Sequence, residues 1–280
     1  MLRTRVLTVA LGAPPFLACL WWGGGVWTVL VALLAGAAAV EAIWMAGSGR
    51  SLRLAAAVTA VLAAGLVLLL GGLLPVPASL TAGWVSSPGE NRTPGVLLGA
   101  TTVVVLVVMA LDAAMYPGGT RAPGMLLGVL YPGLGLGHMV LLRQGAGGLG
   151  WTLFLLATVW AADMAAYFAG LAWGRHRLVP RLSPGKSWEG AAAGLLVAAA
   201  AGAAAAGPLL DRGAPLGALL GGGAALAGMV GDLAESALKR AAGRKDSGRL
   251  VPGHGGVLDR FDSLAFAAPV LYWWRVLGGM

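Results

Sequence analysis

Apolar runs long enough to cross a bilayer follow one another along almost the whole chain. Windows of about 20 apolar residues, the length a helix needs to span the hydrocarbon core, fall near residues 5–22, 26–47, 53–74, 95–115, 124–142, 148–173, 188–207, 214–238 and 263–279. The pattern predicts an all-α, polytopic integral membrane protein with about nine transmembrane helices. Its breaks are local and chemical: Gly23, Gly24 and Gly25 separate the first two spans into a helical hairpin, and Pro75, Pro77, Pro88 and Pro94 punctuate the longest early polar loop.

The positive charges then orient the spans. With the amino terminus on the cytoplasmic side, 15 of the 19 Lys and Arg fall on that side, and only Arg92, Arg143, Arg212 and Arg275 fall on the other. Basic residues concentrate on the cytoplasmic side of membrane proteins, and moving one span would scramble this separation. The charged loops are therefore expected to face the cytoplasm.

Composition agrees with this reading. The chain is 58% hydrophobic and 11% charged, so most predicted helices lack the charged face that a soluble helix turns to water. The net charge of +8 does not imply nucleic acid, because the cations are confined to short segments between apolar runs and suit a membrane surface or a phosphate. Cys19 stands alone inside an apolar run and reads as packing, so no disulfide framework or cysteine metal site is expected. Arg3 and Arg5 ahead of an apolar run resemble a signal peptide, but the rest of the chain is equally apolar and a retained first helix is expected. No repeat of 20–50 residues is evident, and residues 1–280 read as a single membrane domain. Its amino-terminal helices, 1–145, carry little chemistry, and the catalytic helices and cytoplasmic loops occupy 146–280.

The polar residues of the last third are concentrated. The loop 174–189 follows a span carrying Asp163 and Tyr167, four apart on one helix face. An aspartate at that depth is costly unless it is paired or reaches a polar cavity. Further on, Asp232, Glu235, Ser236, Lys239 and Arg240 recur at three- and four-residue spacing on an otherwise apolar helix. Lys245, Asp246, His254, Asp259, Arg260 and Asp262 then fall in a glycine-rich stretch. Carboxylates of this kind hold a hard cation such as Mg²⁺, which bridges phosphate oxygens while Lys and Arg neutralise the remaining charge. No GxxxxGK[ST] motif and no strand-borne GxGxxG is present, so a phosphate site would have to be assembled from membrane helices and loops.

These residues resemble a known family. Ser236, Lys239, Arg240, Lys245, Asp246, His254, Gly255, Gly256, Asp259, Arg260 and Asp262 match the signature of the phosphatidate cytidylyltransferase family. Upstream, DMAAYFAG around Asp163 and Tyr167 and then SPGKSWEG, with Ser183, Pro184, Lys186, Trp188, Glu189 and Gly190, look like the same family. Ser187 stands where the family usually has threonine. The likeness covers roughly the last 120 residues, and the first half matches only in hydropathy and length.

The resemblance implies a magnesium-dependent enzyme, with a second cation allowed for. Such an enzyme is commonly dimeric, and it converts CTP and phosphatidate to CDP-diacylglycerol and pyrophosphate. It implies Asp232, Asp259 and Asp262 as metal ligands, with Asp246 next. Lys239, Arg240, Lys245 and Arg260 are implied on the triphosphate or lipid phosphate, and Ser183, Lys186, Glu189, Ser236 and His254 at the substrates. Lys239, Asp246 and Asp259 are expected nearest the reaction, with Asp163 and Tyr167 as a further polar site in the membrane. The partners implied are CTP, phosphatidate, membrane lipids and a second copy of the chain, with no nucleic acid.

Plainer readings hold elsewhere. His138 and His176 read as structural or solvated, the role of Glu41 is open, and the tryptophans near span ends fit an interfacial belt. The competing functions are a related CTP-dependent enzyme acting on another lipid acceptor and a membrane transporter, since intramembrane carboxylates also mark ion pathways.

Overall fold

In a computed structural model, the described residues are 2–45, 50–73, 101, 108–109, 122–251, 253 and 255–277. They divide into two compact units, residues 9–140 and residues 141–280 together with 1–8. The predicted span 95–115, the proline-rich loop before it and His254 lie outside the described residues, apart from residues 101, 108 and 109.

The first helices are α1 (Leu2–Trp22), α2 (Gly24–Met45) and α3 (Arg50–Leu70). Gly23 and Gly24 have φ of 68° and 51°, the left-handed region glycine enters without a Cβ penalty, and the chain turns there. Beyond it, Phe16 packs edge-on against Trp27 at 5.3 Å. Helix α2 lies along α3, and Glu41 on α2 is fully buried. The next span has three parts: α4 (Ala122–Val129), a π-helical segment Leu130–Leu134 and α5 (Gly135–Gln144). Pro132 lies inside the π segment; a proline removes one helical donor and crowds the preceding turn, which a locally wider helix absorbs.

The second unit begins with α6 (Gly148–Trp173), 26 residues or about 39 Å at the helical rise, more than a hydrocarbon core requires. A short antiparallel hairpin follows, β1 (Arg177–Val179) with β2 (Ser183–Ser187). Then come α7 (Trp188–Ala205), a second π segment Ala206–Leu210, α8 (Ala214–Ala241) and α9 (Leu258–Leu277). Helix α7 packs between α6 and α8, and α9 packs on α8.

Small residues set these crossings. A Cβ on Gly217 would collide with the Gly202 carbonyl, and one on Gly221 with the Ala198 carbonyl, so α7 and α8 meet backbone to backbone, as close membrane helix pairs do. Gly217→Val is expected to cost about 1–3 kcal/mol by overpacking this contact. It should appear as a lowered thermal midpoint in detergent, whereas Gly223→Ala, with nothing within 4 Å of its Cβ position, should leave the midpoint unchanged or raised. At the far end of the unit, the Arg275 guanidinium donates to the carbonyls of Leu142 (3.0 Å) and Ala146 (2.5 Å) and lies over the Trp151 ring. That contact pins the last helix.

Among the described residues, six helical segments are long and apolar enough to cross a membrane: Gly24–Met45, Arg53–Leu70, Pro123–Gln144, Gly148–Trp173, Trp188–Leu210 and Ala214–Ala241. Each coincides with a predicted span. Ala10–Trp22 is a shorter apolar helix, and α9 covers the last predicted span with more polar residues in its first turn. The chain is an all-α, polytopic integral membrane protein.

Candidate active site

The two charged loops meet. Ser187 caps α7, its Oγ accepting a hydrogen bond from the Gly190 N–H at 3.1 Å, the usual role of a hydroxyl at a helix start. The cap brings the hairpin back over the end of α6, and β2 directs Lys186 at α8, where its Nζ lies 2.5 Å from Asp232 Oδ2. A cleft of about 620 Å³ opens beneath the hairpin. Asp163 and Tyr167 from α6, Ser183 and Lys186 from β2, and Met229 and Asp232 from α8 are among the residues that line it. Asp163, costly at its depth in the sequence, therefore opens into a cleft that it shares with Lys186 and Asp232.

Beside the cleft, α8 and α9 bring three carboxylates together. One oxygen each from Asp232, Glu235 and Asp262 lie within 4.8 Å of one another. The crossing that permits this depends on Gly231, where a Cβ would come within 2.6 Å of the Asp262 carbonyl oxygen. Glu235 is fully buried and Asp262 nearly so. The Lys239 ammonium lies against Glu235 Oε2, while Glu235 Oε1 has no hydrogen-bond partner among the described residues. Buried anions are normally paired or hold a cation. Asp232 faces Lys186 and Glu235 faces Lys239; three converging carboxylates, with one Glu235 oxygen unmatched among the described residues, form a donor set suited to a hard divalent ion.

Asp259 is held differently. Its Oδ1 accepts from Lys239 Nζ at 2.8 Å, and its Oδ2 accepts from Ser247 N (3.0 Å), Ser247 Oγ (2.9 Å) and Gly256 N (2.7 Å). Gly255 has φ of 83°, and a Cβ there would come within 2.5 Å of Asp259 Oδ2. Asp259 thus knots the loop after α8 to the start of α9 and anchors Lys239, which bridges it to Glu235.

The remaining expected residues are spread around this centre. Ser236 Oγ donates to Asp232 Oδ1 at 3.4 Å. Glu189, in the first turn of α7, accepts from both the backbone N–H and the ring Nδ1 of His176, whose side chain stays exposed. Arg240 Nε donates to the Leu182 carbonyl at 3.2 Å. Lys245, Asp246 and Arg260 are exposed. Two participants were not among the expected site residues. Glu235 sits on the polar stripe of α8, which its spacing made legible, whereas buried Ser247 has no local signal, because its partner lies twelve residues away.

Comparison with known protein families matches residues 3–277 to the Cytidylyltransferase family. The chain belongs to that family. Relatives within it include the phosphatidate cytidylyltransferase of Brucella suis, 47% identical over 150 residues that cover 52% of this chain and 54% of that protein. The enzyme of the same name from Pseudomonas aeruginosa is 46% identical over 134 residues, covering 47% and 49%. That of Haemophilus influenzae is 45% identical over 122 residues, covering 42% of each. The chain spans about half the length of the curated relatives it matches.

Proposed function

We propose that this membrane protein transfers the cytidylyl group of CTP to phosphatidate, giving CDP-diacylglycerol and pyrophosphate. The observation that carries the reading is the convergence of Asp232, Glu235 and Asp262 beside Lys186 and Lys239, at a cleft that also opens among apolar helix surfaces, in a chain of the Cytidylyltransferase family. A carboxylate cluster flanked by ammonium groups suits a polyphosphate, and apolar walls suit a lipid. The relatives named above carry the same activity in their names.

In this reading an oxygen of the phosphatidate phosphate attacks the α-phosphorus of CTP in line. The bond from the α-phosphorus to the bridging oxygen breaks, and pyrophosphate leaves with that electron pair. A phosphate monoester is already anionic and needs no strong base. Lys186 draws phosphate oxygens to the mouth of the cleft and orients them. Lys239, held by Glu235 and Asp259, keeps a fixed positive charge beside the carboxylates. Tyr167 and Leu171, both exposed on α6 and lining the cleft, give the lipid an apolar wall. Asp232, Glu235 and Asp262 would hold a magnesium ion, with Asp259 and Asp246 nearby for a second cation, and bound metal supplies charge stabilisation to the transferring phosphoryl group. The cytoplasmic side of a bacterial inner membrane is proposed for the site, on the distribution of Lys and Arg. A homodimer is proposed on family resemblance.

Purified protein should release pyrophosphate only when CTP, Mg²⁺ and phosphatidate are all present. A transporter would release none, and release without the lipid would refute phosphatidate as the acceptor.

A further inference from the structure

The hairpin that carries Lys186 is held at both ends by side chains that resemblance alone would assign to substrate. At its base, Glu189 accepts from His176 N (3.2 Å) and His176 Nδ1 (2.7 Å), and Trp188 N donates to His176 O at 2.9 Å. At its turn, Arg240 Nε donates to the Leu182 carbonyl at 3.2 Å, and the other face of the same guanidinium reaches the Arg244 carbonyl at 3.4 Å. Between these points Lys186 crosses to Asp232. The strands themselves are three and five residues long with an irregular register, and a two-stranded hairpin of this size is marginal unless its surroundings support it.

We infer that Arg240 is a positioning residue: it pins the turn of the 177–187 hairpin to the end of α8, with Glu189 and His176 pinning the base, so that Lys186 is held against Asp232. Arg240 then acts through Lys186 and does not itself grip phosphate. This inference rests on the reading of the cleft as the CTP and phosphatidate site, but its first test does not require turnover. The planar fork of an arginine suits two carbonyls at a fixed angle, a geometry that a lysine's single ammonium does not reproduce.

The test uses the full-length protein in detergent with two readouts. In hydrogen exchange followed by mass spectrometry, Arg240→Ala should speed exchange of the amides in 177–187 by about tenfold, with the helices unchanged, as expected when a local opening becomes easier. In kinetics, Arg240→Ala should lower kcat/KM by about tenfold alone but by less than about twofold in a Lys186→Ala background, because residues acting through one contact are non-additive. If Arg240→Ala does not fold, Arg240→Lys keeps the charge, removes the fork and carries both readouts. Unchanged exchange in the hairpin overturns the inference, whatever the kinetics. Faster exchange with losses that multiply with Lys186→Ala also overturns it, placing Arg240 on the substrate. Faster exchange in Arg240→Ala, together with a wild-type protein that transfers nothing, would leave the hairpin clamp standing and refute the proposed reaction instead.

Discussion

Asp232→Asn is expected to give a folded, membrane-embedded protein whose turnover is lower by a factor of about 10²–10³, the scale of losing one electrostatic contact to a transition state. Asp232 is the residue where the two loops meet: it faces Lys186 at 2.5 Å, receives Ser236 Oγ and shares the carboxylate cluster with Glu235 and Asp262. Asparagine keeps the shape and removes the charge. Its side chain is 33% exposed and that of Lys186 is 26% exposed, so the ion pair itself adds little to stability. Fold and chemistry should therefore separate, with the thermal midpoint held and turnover lost. A variant with near wild-type turnover at limiting Mg²⁺ would remove Asp232 from the metal set.

Lys239→Met should damage both. Lys239 is 14% exposed and is paired to Glu235 and Asp259, whose side chains are 1% and 5% exposed. Removing one partner of a buried ion pair costs about 3–5 kcal/mol, because the remaining charge is stranded. Here two carboxylates are stranded, beside a third and a fourth. The thermal midpoint in detergent should fall by about 10 °C or more, and activity should vanish even at temperatures where the variant is folded. The exposed Lys245→Met is the comparison, with no shift in midpoint expected. A Lys239→Met protein as stable as wild type would mean that Glu235 and Asp259 are neutral or otherwise compensated, and the ionic scheme of the centre would have to be redrawn.

What could be read from the sequence follows the range of the forces involved. The span 148–173 has the bounds of α6, because glycines 147 and 174 close an apolar run whose one charged residue is Asp163. The stripe Asp232, Glu235, Ser236 and Lys239 was legible because helical spacing alone places those residues on one face. The hairpin 177–187 was read only as a loop. SPGKS has neither alternating apolar residues nor β-branched ones, and its strand exists because Glu189, Arg240 and the Ser187 cap hold it. The π segments at 130–134 and 206–210 are foreshadowed only by Pro132 and Pro208. The choice among the acidic residues depended on contacts between α8, α9 and the loop that joins them. Glu235 converges with Asp232 and Asp262, and Asp259 is enclosed by Ser247 and Gly256. Asp246, in the same signature, remains exposed. Side-chain spacing along one chain does not encode which of these meet.

The most direct measurement of the central claim is the fate of each phosphate of CTP. Purified protein in mixed micelles with phosphatidate and Mg²⁺ would be given CTP labelled at the α-phosphate and, separately, at the γ-phosphate. The account predicts that α label moves into the lipid phase as CDP-diacylglycerol, while γ label appears as pyrophosphate. Label entering the lipid from the γ position, or neither label entering it, would contradict the account.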